Sequence, residues 1–369
     1  MHLNSIGVRR EEERAGVNWL NDGYLQWAER EGIPIVEELA IDLEAVETAP
    51  WPRFGCAGAF VHTTGRGDLC NLYLRDLPPG GSTAPQHHLY EEVVFVVDGH
   101  GSTVVEGASG TKRSFEWGQG GLFCLPLNAT YRFHNSSGTK RARLAAVSNL
   151  PMVMKQFRSD AFVFDTPFEF TDRWGEERYY RGEGTLIPTR EMRNMWESNL
   201  IPDLRTFDRL TDSPNRGKGS RNIQFVLGET TMAAHISEVG VGAYKKAHIH
   251  EAGAHIIQMS DGGYSLYWHE GQQDYVKVDW KYAMFHSPSD DEWHQHFNVA
   301  DGGGRYLAMG YGGYRYPFTR ANRRNILHHY EVKSPIQIEY EDEDPRIREI
   351  FDAERGKWQR SHQVAEVTR

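Results

Sequence analysis

Between Gly242 and Met259 the chain reads GAYKKAHIHEAGAHIIQM, and this stretch decides the fold. His248 and His250 stand one residue apart, five residues after a glycine, and His255 follows. The same layout occurs earlier. Gly80 is followed after five residues by Gln86, then by His88, Glu92 and Gly99, as Gly242 is by His248, His250, His255 and Gly262. Farther on, Pro126, Asn128, Tyr131 and Asn135 match Pro288, Asp290, His294 and Asn298. The offset stays at 162 or 163 residues throughout, so the chain holds two copies of one domain.

The text around the repeats is β-like. Runs such as NLYLRDL, EEVVFVVDG and STVVEG alternate with glycine turns, in a chain with 37 glycines. A second β-rich block runs from about Asn222 to Met309. Helical spacing occurs at three places. Leu20, Tyr24 and Trp27 mark an N-terminal helix that breaks at Gly32 and Pro34. A helix is expected near Thr189–Asn199, and IREIFDAERGKWQ reads as a short amphipathic helix packed on a barrel or a neighbouring subunit. The expected division is a helical extension over 1–50, a first barrel over 51–150 and a linker with a helix over 151–215. A second barrel over 216–320 and an extension with a helix over 321–369 follow.

Composition narrows the function classes. The formal net charge of −10 argues against a nucleic-acid partner. No apolar run of about 18 residues could span a bilayer, and the N-terminus lacks the apolar core of a signal peptide. Cys56, Cys70 and Cys124 are odd in number and share no metal-like spacing, which points to reduced thiols and a cytoplasmic location.

With these landmarks the chain resembles the cupin superfamily. Its first motif is a glycine, five residues, His-x-His, three or four residues, Glu, six residues and Gly. Its second is Pro-x-Gly, two residues, His, three residues and Asn. The C-terminal copy fits at His248, His250, Gly262, His294 and Asn298. It departs at His255, where the family has glutamate, and at Asp290, where it has glycine. The N-terminal copy keeps His88, Glu92, Gly99 and Asn135 but has Gln86 and Tyr131 at histidine positions. The resemblance implies an all-β-dominated fold, two tandem jelly-roll barrels with helical N-terminal, linker and C-terminal segments.

On a regular strand His248 and His250 share a face, as do His294 and His296, and in a small barrel that face is the interior. Converging buried imidazoles need a partner, and a divalent transition metal supplies one. The expected ligands are His248, His250 and His294, with His255 as a fourth in the carboxylate's place. His296, one strand step beyond a ligand, is the candidate catalytic group, orienting a ligand or moving a proton. In the first copy His87 and His134 fall on the outer face, so its metal site reads as degenerate. Ile257 and Met259 share the parity of His255 and are expected to give the pocket an apolar lining.

An ion held only by neutral imidazoles keeps its charge and attracts a small anionic, chelating substrate. The all-histidine cupins that resemble this chain include gentisate-type and diketone-cleaving dioxygenases. The resemblance therefore implies an Fe(II) dioxygenase acting with O2, with Mn, Ni or Zn as alternative metals and a homo-oligomeric assembly. Two other readings stay open. One is a non-redox metal-dependent lyase, isomerase or hydrolase. The other is a bicupin that binds a small molecule without turning it over.

Overall fold

The computed structural model describes residues 22–63, 69–189, 194–249, 254–289, 292–313, 315–316 and 336–367. Within them the chain forms two β-barrels, each a large sheet closed by a small one. In the first, an eight-stranded sheet runs Ile35–Glu38, Cys56–Thr63, Asn71–Leu77, Ala142–Ser148, Glu92–Asp98, Leu122–Cys124 and Leu200–Ile201, with Ala49–Trp51 beside Cys56–Thr63. Thr130–Asn135, His100–Glu106 and Lys112–Gly118 form its small sheet. In the second, a nine-stranded sheet runs Thr185–Ile187, Met195–Ser198, Arg221–Leu227, Met232–Val239, Gly304–Tyr311, His255–Gln258, Met284–His286 and Ala40–Asp42, with Thr211–Asp212 beside Arg221–Leu227. Ala243–Tyr244, Glu292–Asn298, Gly263–His269 and Val276–Asp279 make its small sheet.

The large sheets pack back to back, which explains strands that are apolar on both faces. In Glu92–Asp98, Val94 and Val96 point into the first barrel, while Val93, Phe95 and Val97 join a second core. That second core also holds Ile223, Ile236, Ile257 and Leu307 from the other barrel. Burying each such side chain contributes about 1.5–3 kcal/mol. Two strands cross over: Ala40–Asp42 pairs with Met284–His286, and Leu200–Ile201 pairs with Leu122–Cys124. The Glu91 carboxylate accepts from the Thr231 amide at 3.0 Å and from its hydroxyl, tying the barrels together.

The duplication is written into the hydrogen bonds. Asn135 Nδ2 donates to the carbonyls of Leu77, Pro78 and Lys140, and Asn298 Nδ2 donates to those of Val239, Gly240 and Gly302. Trp117 Nε1 donates to Thr103 Oγ1, and Trp280 Nε1 to Ser265 Oγ. Arg143 pairs with Asp76 as Arg305 pairs with Glu238. These pairs also close the same rungs, Arg143 opposite Asp76 and Arg305 opposite Glu238, 162 residues apart.

The N-terminal helix is Gly23–Glu31, capped by Asp22 Oδ1 on the amides of Tyr24 and Leu25 and ended by Gly32 in the left-handed region. The rest of the expected helical extension differs, since residues 35–38, 40–42 and 49–51 are strands in the two large sheets. The helix expected near Thr189–Asn199 is also corrected. Residues 190–193 lie outside the described residues, and Met195–Ser198 is a strand paired in parallel with Gln224–Leu227. Sheet pairing there overrides local helical preference. The linker's helices are instead Leu150–Phe157 and Asp160–Asp165. The C-terminal helix Pro345–Val367 contains the stretch read as helical, and its Ile347 and Phe351 pack on Tyr244, Tyr264 and Phe297. All three cysteines are free and buried. No helix among the described residues is long and apolar enough to cross a membrane.

A candidate site in the C-terminal barrel

Cross-strand rows decide which side chains meet inside the second barrel. The row Asn222, Ser237, Tyr306 and Gln258 and the row His235, Ala308 and Ile256 face inward. Between them, Ile223, Ile236, Leu307, Ile257 and Phe285 face the core shared by the barrels. From the small sheet come His294 and His296, opposite Tyr267 and Ser265. His248 joins through an isolated bridge to His294. Together they leave a cavity of about 60 Å³ lined by Arg216, Asn222, His235, Ser237, Lys245, His248, Ala254, Ile256, His294, His296, Tyr306 and Ala308.

The imidazoles of His248 and His294 lie side by side, with ring centroids 4.0 Å apart. His294 Nδ1 stands 3.3 Å from the Glu292 carbonyl, which can only accept, so the lone pair is on Nε2. His296 is 5.6 Å from His294 by centroids, and its Nδ1 meets Ser265 Oγ at 2.8 Å. Burial, reinforced by His294, Lys245, His286 and Arg216, holds the His296 imidazole neutral, well below its ordinary pKa. Lys245 Nζ donates to the Tyr306 hydroxyl at 3.1 Å. Behind His294, His286 bonds Gln258 Nε2 at 2.7 Å and the Tyr267 hydroxyl, and Tyr267 stacks on His294 at 6.2 Å. Burial pushes His286 down to about 3. The cavity therefore offers two adjacent imidazole donors, two further imidazoles in His235 and His296, an ammonium and a guanidinium, and no carboxylate among the described lining residues.

Of the residues singled out from the sequence, His248, His294 and His296 line this cavity. His250 lies outside the described residues. His255 is corrected. Its row is Phe225, Ala234 and Met309, all in the shared core, and its ring stacks on Phe285 at 5.5 Å. Ile257 and Met259 lie in that core too, so the expected apolar lining is absent and Ile256 is the inward residue. The cause is a register slip of one residue, which turns every side chain to the other face. Val94 pairs with Ala146 as Ile256 pairs with Ala308, so 162 is the offset here and Ala254 occupies the place of Glu92. Arg305 reaches Leu204, Arg205, Phe207 and Glu238, and Arg315 reaches Glu197 and Glu229, so neither serves the cavity. Its cations are Arg216 and Lys245. Among the described residues, no three His, Cys, Asp or Glu side chains form a metal-holding group. The donor chemistry of His248 and His294 fits two ligands, and a third has to come from outside that set.

The first barrel's interior is filled instead. The buried Arg75 guanidinium lies 3.3 Å from Glu92 Oε1 and 3.1 Å from the Tyr131 hydroxyl, and Tyr73 donates to Glu92. His88 Nδ1 donates to the Tyr90 carbonyl at 2.8 Å, and its Nε2 accepts from the Tyr131 hydroxyl at 2.9 Å. His87 bonds Asn128, and His134 bonds Ser82. By rung, Arg75 corresponds to Ser237 and Tyr73 to His235, while the matching bridges equate Gln86 with His248 and Tyr131 with His294. A large cation in one copy and a serine in the other separate a filled barrel from a hollow one.

Burial lowers both His62 and His88 to about 4, against an ordinary 6.5. The unfolded chain then binds protons that the folded barrel refuses. Their contribution is complete above pH 6.5 and is lost progressively as pH falls from 6.5 to about 4. Each group should steepen the fall by about 1.4 kcal/mol per pH unit in that window. Urea unfolding from pH 7.5 to 4 tests this, and a slope unchanged by His88→Gln would contradict it.

No family model matches the chain, and no curated protein matches it. Solved structures do align. A variant of the Bacillus subtilis oxalate decarboxylase matches with a TM-score of 0.48 at 12% identity, covering 75% of this chain and 78% of that one. Another structure of that protein, concerned with its Mn(II) centres, matches with a TM-score of 0.48 at 13% identity over the same shares.

Proposed function

We propose that the chain is a bicupin metalloenzyme that performs proton-transfer chemistry, as a lyase or isomerase, on a small anionic substrate in the C-terminal barrel. A divalent transition metal would be held by His248, His250 and His294. When bound, it would polarise a substrate oxygen as a Lewis acid. The chain's own groups do the rest. Lys245 and Arg216 draw in the anion, His296 takes or gives a proton at its Nε2, and the hydrogen-bonded Lys245–Tyr306 pair supplies a second proton-transfer group. The observation that carries this reading is the polar lining, in which His296, Lys245 and Tyr306 surround the His248–His294 pair. The apolar wall of Ile257 and Met259 that would suit an aromatic substrate faces the shared core instead, which leaves the polar lining to receive a small anion.

The test is metal analysis of the purified full-length chain, then loading with Mn(II) or Fe(II) and assay of small hydroxy and oxo acids with an oxygen electrode. Conversion without oxygen uptake supports the proposal. Conversion with one O2 consumed per turnover replaces it by the dioxygenase reading. Failure to hold any divalent metal ends both.

The register gives a sharper variant. Ala254→Glu should bring a carboxylate into the cavity at the place Glu92 holds in the first barrel. It is expected to weaken anionic ligands at least about tenfold through charge while the metal is retained. His255→Glu instead puts a charge into the apolar core between the barrels and should cost several kcal/mol of stability. Calorimetry and unfolding of both variants check this, and the reverse pattern would restore His255 to the site.

A further inference from the structure

We infer that Gln258, His286 and Tyr267 form a positioning chain for the histidine pair, with His286 at its centre holding the Tyr267 ring along His294; the part of this inference that concerns metal rests on the proposed function. All three side chains are fully buried. Gln258 Nε2 donates to His286 Nε2 at 2.7 Å, which leaves the ring proton on Nδ1, where it is donated to the Tyr267 hydroxyl oxygen. Tyr267 is the cross-strand partner of His294, and the two rings lie within 19° of parallel with centroids 6.2 Å apart. His294 has to keep one orientation, with Nδ1 on the Glu292 carbonyl, so that its lone pair stays on Nε2. At the other end of the chain, Gln258 is the cross-strand partner of Tyr306, which lines the cavity.

The first barrel shows that the fold does not need this chain. Gln258 pairs with Tyr306 as Val96 pairs with Leu144, His286 pairs with Ile256 as Phe123 pairs with Val94, and Tyr267 pairs with His294 as Val105 pairs with Tyr131. The places of a carboxamide, an imidazole and a phenol are thus held in the first copy by Val96, Phe123 and Val105, all in its apolar core. Hydrogen bonds among buried polar groups add little net stability over apolar groups of similar shape. The chain is also incompletely paired, since Gln258 Oε1 has no hydrogen-bond partner among the described residues, and an orphaned buried acceptor is destabilising. Stability of the barrel therefore does not account for the chain. Its geometry does, because a tyrosine held at its hydroxyl has a fixed ring plane, and that ring stands beside His294.

The experiment compares the full-length parent with His286→Phe, which installs the first copy's residue, and with Tyr267→Phe, which keeps the ring and removes only its anchor. Two readouts are taken. Nitrogen NMR of the histidine-labelled, metal-free chain reads the His294 tautomer, expected as Nδ1–H alone in the parent and as a mixture in both variants. Chelator competition reads Mn(II) affinity, expected to fall at least about fivefold in both variants. A barrel merely loosened by the substitutions would unfold at lower urea and leave the tautomer as it is. Tyr267→Phe decides even if His286→Phe does not fold. A parent-like tautomer, or parent-like Mn(II) affinity, in the folded Tyr267→Phe chain overturns the positioning role and leaves the proposed function standing. A parent that binds no Mn(II), but whose His294 tautomer is lost in Tyr267→Phe, upholds the positioning role and removes the metalloenzyme reading.

Discussion

Replacing His294 with alanine is expected to strip the C-terminal barrel of its metal and take turnover to background, with the fold intact. His294 stands beside His248 at 4.0 Å between centroids, and its backbone orients both through the shared bridge. Losing even an outer partner of a ligand typically costs 10–100-fold in metal affinity, so losing a ligand should cost well over about a hundredfold. Metal content should fall from about one ion per chain to near zero. His255→Ala is the matched control, and the register that turns His255 into the shared core predicts full metal retention. Full occupancy in the His294 variant would remove that residue from the centre. Loss in a folded His255 variant would return the ligand set to the one expected from spacing.

Arg75→Met should be the most damaging single change in the first barrel, at about 3–5 kcal/mol. Arg75 and Glu92 are both buried, and the guanidinium is the cation that keeps the Glu92 carboxyl ionised against the cost of burial. Arg75 itself stays charged despite its desolvation because Glu92 lies against it. Removing the cation leaves an anion in a low-dielectric interior, where burial then pushes the Glu92 pKa up. The double change Arg75→Met with Glu92→Leu should recover much of the loss, since a well-packed apolar pair can replace a buried ion pair. Denaturant unfolding of the single and double variants measures this. A single variant within about 1 kcal/mol of the parent, or a double variant no better than the single, would show that the pair does not hold the first interior together.

Much of this molecule is legible in its amino-acid sequence. The duplication follows from landmarks at one offset, the β-rich content from short apolar runs between glycine turns, and the two barrels from the cupin resemblance that those landmarks carry. His294 and His296 come out on one face because histidines two apart on a strand must share it, and His248 joins them at a position that the motif resemblance supplies. The first copy reads differently from the second because Gln86 and Tyr131 stand at the places of those histidines. What alternation cannot supply is register across a segment whose length differs between copies. The extra residue of the second copy falls between Gln258 and Gly262, not before His255, so Ala254 and not His255 takes the inward place of Glu92, and only the pairing of Ile256 with Ala308 reveals it. Long-range partners escaped for the same reason. Met195–Ser198 is a strand because Gln224–Leu227 lies beside it, and Ala40–Asp42 completes a sheet of the distant barrel. Arg216 and Lys245 differ in this respect. Lys245 carried a signal in the copy-against-copy comparison, where it replaces Thr83 as Ser237 replaces Arg75, and Arg216 carried none. Their shared meaning appears only when closure of the barrel brings both to one cavity. Local sequence determined which faces are buried. Tertiary packing decided which buried faces enclose a site and which merely join two barrels, because that depends on what each face is pressed against.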